Sequence, residues 1–424
     1  MKQQQNEKTI SLTTQVDRTL VPANETTQRY LLITLHMPDK ADKGNRLPLN
    51  LGLVIDRSGS MSGQKLEYVK EAAIHTVRLL TDEDRVSVTI YDDEVEVVAP
   101  SQAVTSSART DLIKRIRAIR TGGMTNLSGG WFTGCDQIAD FMSSDYLNRA
   151  LLLTDGLANK GVTDHEKLVY EGKQLRQRGI TSTTFGVGND FNQFLLQGIA
   201  DGSGGHFYFI ESPKQIPNYF QGELGEMLDT VAREMTLDLT LPTGVKATIL
   251  NDVPHEQSDT RFRLMLGDAY ANEARTLVIK LDIAEQSLDH TLKMPLHLQY
   301  EDAQTRQAMT INCPDVVLTV ADKKVCEDQS VNEAVMTEAA QLEAEKGKMQ
   351  ALEMEYRGDV AGAKRVLQGT GTFLRTMAPN VAAPLAANLD MMQTEMEEGL
   401  TETARKEAHY ATYRAQRSRK DYKK

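Results

Sequence analysis

LNLGLVID (49–56) and RALLLTDG (149–156) decide how this chain folds. Each is an apolar run stopped abruptly by a turn, the pattern of a parallel strand buried on both faces. Between and beyond them strand and helix signals alternate. Helix KLEYVKEAAIHTVRLL (65–80) repeats Leu66, Val69, Ala73, Val77 and Leu80 at helical spacing, strand RVSVTIYD (85–92) follows, and DLIKRIRAI (111–119) and 126–141 read as helices. After the second buried strand come helix 166–179, strand ITSTTFGVG (180–188), helix 191–205, strand HFYFIE (206–211) and helix 214–232. Such alternation predicts an α/β unit over 47–232, a doubly wound, mainly parallel sheet with helices on both faces.

Outside this unit the period becomes two. Leu237, Leu239 and Leu241 alternate, as do Phe262 with Leu264, Met294 with Leu296 and Leu298, and Val316 with Leu318 and Val320. Short strands without helices indicate an antiparallel sandwich over 233–325. Ile10, Leu12, Val16 and RYLLITLHM (29–37) have the same character. A lone pair of strands is marginal in water, so residues 1–46 are expected to complete that sandwich, with the α/β unit inserted in it. Residues 326–424 read as a helical hairpin or three-helix tail, its stripe carried by Val335, Leu342, Met349 and Tyr356, then by Leu385, Leu389, Met392 and Met396.

A length of 424 residues leaves room for two to four domains. The net charge of −11 argues against nucleic-acid binding through the overall field. MKQQQNEKTISLTTQ has no apolar core to act as a secretory signal, and no apolar run approaches the ~20 residues that cross a bilayer. Three cysteines are too few for a disulfide framework, so a cytoplasmic protein is expected. Residues 405–424 carry 8 basic and 2 acidic side chains. They read as a solvated helix end, or else as a contact for an acidic partner or nucleic acid.

The informative polar residues fall at predicted strand ends, where open α/β sheets place ligands. Asp56, Ser58 and Ser60 alternate directly after the first buried strand, Gly122-Gly123-Met124-Thr125 precedes a helix, and Asp155 closes the second buried strand. Two carboxylates and three hydroxyls are an all-oxygen set suited to a hard cation such as Mg²⁺, or Mn²⁺. Arg57 reads as a solvated charge, Asn126 as a helix cap, and Trp131 and Cys135 as packing residues.

Asp56-x-Ser58-x-Ser60, Thr125 and Asp155 resemble the metal-ion-dependent adhesion site of von Willebrand factor type A domains. DRSGSMSGQKLEYVKEA, GGMTNLSGGW and LLLTDGLANKGVTD resemble its bacterial members. The flanking strands resemble those of inter-alpha-trypsin-inhibitor heavy-chain-like proteins. The resemblance implies that Ser58, Ser60 and Thr125 reach the ion through neutral oxygens, with Asp56 and Asp155 acting through water. A cation so held keeps much of its charge and favours a carboxylate from a partner. The implied function is an Mg-dependent adaptor that captures an Asp or Glu of a partner protein, as in bacterial regulatory or defence complexes, with no membrane role. Loops 63–65, 92–94, 156–164 and 188–192 would supply selectivity.

Enzymatic readings fit less well. Met61 stands where a nucleophile elbow needs serine, and no phosphate loop or H-E-x-x-H is present. The eight histidines lack zinc-ligand spacing. Two alternatives stay open: a Mg-dependent hydrolase or phosphatase with Asp56 as nucleophile, and a scaffold acting mainly through its helical tail.

Overall fold

Three strands open the chain: β1 (Ser11–Val16), β2 (Leu20–Pro22) and β3 (Thr27–His36). This computed structural model describes residues 9–39 and 46–418; the reading of the first eight residues as no signal lies outside them, as does the end of the basic tail. The α/β unit follows as β4 (Leu49–Asp56), α1 (Gln64–Leu79), β5 (Arg85–Tyr91), β6 (Val95–Ala103), α2 (Ser106–Ala118), α3 (Leu127–Ala139), β7 (Leu147–Thr154), α4 (His165–Gln177), β8 (Thr181–Val187), α5 (Gln193–Ser203), β9 (Phe207–Ile210) and α6 (Ile216–Leu228). Strands then resume as β10 (Thr230–Thr240), β11 (Val245–Ile249), β12 (His255–Gln257), β13 (Arg261–Tyr270), β14 (Ala274–Ile283), β15 (Thr291–Asp302) and β16 (Ala308–Ala321). Helices α7 (Lys323–Glu327), α8 (Glu333–Tyr356), α9 (Val360–Met377), α10 (Pro379–Glu398) and α11 (Glu402–Gln416) complete the chain. None of the described helices is long and apolar enough to cross a membrane.

In the α/β unit the strand order is β6-β5-β4-β7-β8-β9. All neighbours are parallel except β5 and β6. The central pair is β4 and β7, the two runs read first from the sequence, and every residue of both is buried. Two polar residues within them meet: Asn50 Nδ2 donates to Asn148 Oδ1 at 3.0 Å and to the Ile138 carbonyl at 2.8 Å, while Asn50 Oδ1 has no hydrogen-bond partner among the described residues. Burial without partners would cost about 1–3 kcal/mol per group.

The same unit includes residues 402–410 of α11, which corrects the expectation of a solvated helix end. Lys406 is buried, donating to the Phe191 carbonyl (2.6 Å) and to Gln193 Oε1 (2.9 Å), with its ammonium 4.4 Å from the centre of the Phe191 ring. Burial lowers its pKa to about 8. His409 meets the Phe194 ring edge-on at 4.8 Å, and Tyr410 meets Phe207 at 6.0 Å.

The sandwich is made of a four-stranded sheet, β1-β3-β14-β11, and a six-stranded sheet, β12-β13-β10-β15-β16-β2. As expected, the N-terminal strands belong to it: β3 runs antiparallel to β14 with Thr27 opposite Ile283, and β2 runs parallel to β16. The inward residues form one core, including Leu31, Ile33 and Leu35 of β3, Leu237 and Leu239 of β10, and Leu296 and Leu298 of β15. Helices α8, α9 and α10 pack on one another, and α8 packs on β3. Helix α9 runs 18 residues, from Val360 to Met377. Its Leu367, Gly371 and Leu374 are all buried at helical spacing, so packing outweighs the poor helix propensity of its glycines.

Candidate metal centre

Asp56 is the last residue of β4 and is fully buried. One carboxylate oxygen accepts the Ser58 amide (2.8 Å) and the other accepts the Thr154 hydroxyl (2.5 Å). Burial raises its pKa to about 6, against the lowering effect of those hydrogen bonds. Asp155, directly after β7, is equally buried. Its Oδ1 accepts the Ser60 hydroxyl at 2.7 Å, while its Oδ2 pairs with the ammonium of Lys65. Ser58 Oγ lies 3.1 Å from Ser60 Oγ. A Cβ placed on Gly156 would lie 3.3 Å from Thr125 Oγ1 and 3.7 Å from Ser60 Oγ. The five residues singled out in the sequence therefore meet at the C-terminal ends of β4 and β7.

The loop carrying Thr125 is fixed from both sides. Asp92 Oδ2 accepts the Gly123 amide (3.2 Å), the Asp93 carboxylate accepts the Met124 amide, and Asn159 Oδ1 accepts the Thr125 amide (3.0 Å). The paired glycines are needed because these carboxylates lie against them: a Cβ on Gly122 would fall 1.5 Å from Asp92 Oδ2, and one on Gly123 2.3 Å from Asp93 Oδ2. Arg57 is not the solvated charge expected. Its guanidinium pairs with Asp92 at 3.2 Å and Glu96 at 3.4 Å, and its backbone bonds to Tyr91 and Gly122. Asn126 caps α3, accepting the Gly129 amide at 3.1 Å. Trp131 is buried and donates to Ser182 Oγ at 2.9 Å; Cys135 is buried, its thiol pushed up to about 12 by desolvation.

The donor set fits a hard divalent cation. Both carboxylates spend their oxygens on protein donors, while hydroxyl oxygens with spare lone pairs converge between them. Sequence reasoning placed Lys65 at the start of a helix and in the loop before it, without a partner. Its contact with Asp155 follows from α1 beginning at Gln64, which sets Lys65 in the first turn.

A second convergence was missed, since its members are far apart in sequence. His206, Glu223 and Glu226 bring ligand-type atoms within 4.8 Å of one another. Glu223 already accepts from Thr183 Oγ1 (2.6 Å) and the Tyr208 hydroxyl (2.7 Å) and lies 3.1 Å from His206 Nδ1. That carboxylate ties β8, β9 and α6 together.

The chain is similar to known proteins. The von Willebrand factor type A domain family matches residues 50–222. "Uncharacterized protein sll0103" from Synechocystis is 28% identical over 367 residues, covering 83% of this chain and 84% of that protein. Inter-alpha-trypsin inhibitor heavy chain H1 from Sus scrofa is 26% identical over 206 residues, covering 46% of this chain and 23% of its own length. A solved structure, "von Willebrand factor type A from Catenulispora acidiphila", shares the fold with a TM-score of 0.72 at 17% identity, over 96% of this chain and 98% of the other.

Proposed function

Because residues 50–222 are a von Willebrand factor type A domain, a kind of domain that generally mediates protein interactions, we propose that this chain is a metal-dependent adaptor. Asp56, Ser58, Ser60, Thr125 and Asp155 would hold Mg²⁺ or Mn²⁺ and, through it, capture an Asp or Glu side chain of a partner protein. The observation that carries this reading is the division of labour among the oxygens. Asp56 and Asp155 are each held in place by protein donors, so they neutralise a cation without surrounding it. Ser58, Ser60 and Thr125 offer neutral oxygens, which leave positive charge for an incoming anion. A bound divalent ion supplies a Lewis-acidic position for that carboxylate.

The same geometry disfavours Asp56 as a nucleophile. Its carboxylate is fully buried and each oxygen accepts a hydrogen bond from the protein, which leaves it no open approach to a substrate. A single coordinate bond cannot set specificity, because stable interfaces bury ~1,200–2,000 Å². Loops 92–94, 156–164 and 188–192 surround the strand ends and would supply the rest. The test is capture of a partner by immobilised protein in Mg²⁺. Capture should be lost in EDTA and in Thr125→Ala; capture unaffected by both would refute the proposal.

A further inference from the structure

The Asp155 carboxylate, proposed above as part of the metal centre, also pairs with a cation of the chain itself. Lys65 reaches it from the first turn of α1; its side chain is 24% exposed while that of Asp155 is 0% exposed. Gly188, at the start of the β8–α5 loop, borders the same ammonium: a Cβ there would lie 3.9 Å from Lys65 Nζ. The ammonium is thus confined against Asp155 rather than free in solvent. Of the other cations beside the motif, Arg57 pairs with Asp92 and Glu96, and the Lys160 ammonium donates to the Asp93 carbonyl at 2.6 Å.

We propose that Lys65 is a built-in second cation of the centre, weakening its hold on the metal and strengthening its hold on the partner's carboxylate. This rests on the adaptor reading given above. The charge balance makes the two effects opposite in sign. Asp56 and Asp155 together match a divalent ion, so a site without Lys65 would be neutral when loaded. With Lys65 the loaded site retains one positive charge, in a partly buried setting where screening is weak. Lys65 repels the metal that shares Asp155 with it, and it attracts an anion arriving at the open face. A lysine that merely braced Asp155 would weaken both when lost.

The experiment compares full-length wild type, Lys65→Met, Lys65→Gln and Lys65→Arg after chelator treatment. Mg²⁺ affinity is measured by calorimetry. Acetate binding to the Mn²⁺-loaded protein is followed by water-proton relaxation, and tryptophan fluorescence confirms folding. Both neutral variants are expected to bind Mg²⁺ about tenfold tighter and acetate about tenfold more weakly, with Lys65→Arg close to wild type on both. Two neutral variants keep the test open if one fails to fold. Unchanged or weakened Mg²⁺ binding in them, with wild type binding Mg²⁺ normally, overturns the role of Lys65 alone. Absence of Mg²⁺ binding by wild type overturns the adaptor reading and this inference with it.

Discussion

Replacing Tyr410 with alanine should destabilise the α/β unit, although Tyr410 lies 182 residues beyond the end of α6. The ring is 2% exposed, with the rings of Phe207, Phe209 and Tyr219 at 6.0, 6.5 and 6.5 Å. An aromatic side chain buries ~150–200 Å², which at ~25 cal/mol/Å² amounts to about 4–5 kcal/mol. Large-to-small changes of aromatic core residues cost a similar ~3–5 kcal/mol. Trp131 is the only tryptophan of the chain and is buried in this unit, so its fluorescence reports that unit alone. In urea, with a slope of about 2 kcal/mol/M, the Trp131 midpoint should fall by about 1.5–2.5 M. Tyr356→Ala, at a 45% exposed tyrosine of α8, should leave it in place. A Tyr410→Ala midpoint equal to wild type would show that residues 402–410 are no part of this core.

His409 gives the unit a specific acid sensitivity. Both ring nitrogens are buried without a hydrogen-bond partner among the described residues, and desolvation, helped by Lys406, lowers the pKa to about 3 from an ordinary 6.5. The unfolded chain therefore takes up the proton first, so the stability is present above pH 6.5 and is lost as pH falls toward 3. His409→Leu should flatten the Trp131-reported stability across that window by up to ~1.4 kcal/mol per pH unit; an unchanged acid slope would refute this. Gly122→Ala forces a Cβ into Asp92, so calorimetry should show Mg²⁺ affinity falling by about tenfold or more, as for other supporting residues of metal sites, with the Trp131 midpoint little changed. Mg²⁺ affinity equal to wild type would mean that the 121–125 loop does not set the site.

How much of this was legible follows from where each signal is stored. Strands β4 and β7 were readable because both faces are buried, which writes an apolar run into the chain. β6 was not, because VEVVAPSQA lies at the sheet edge, half exposed and interrupted by Pro100. The Asp56, Ser58 and Ser60 cluster was readable because one turn holds all three, and Asp155 because it closes a buried strand; Thr125, expected at a strand end, lies instead in the loop between α2 and α3 and was marked by the glycine pair and the helix start beside it. The ion pair of Lys65 with Asp155 joins residues 90 apart in the chain, which no local pattern states. Lys406 and His409 read as solvated because their charge and polarity dominate a basic segment; only the aromatic surface of α5 and β9 explains their burial. Arg57 misled in the same way, its partners Asp92 and Glu96 being supplied by the β5–β6 hairpin.

Calorimetric titration of Mg²⁺ into chelator-treated wild type and Asp155→Ala tests the metal centre most directly. Asp155 is held by Ser60 and Lys65 at the heart of the convergent oxygens, so wild type should bind one ion and Asp155→Ala should bind it at least about tenfold more weakly. Equal affinity in the two proteins, or no binding by wild type, would contradict the account.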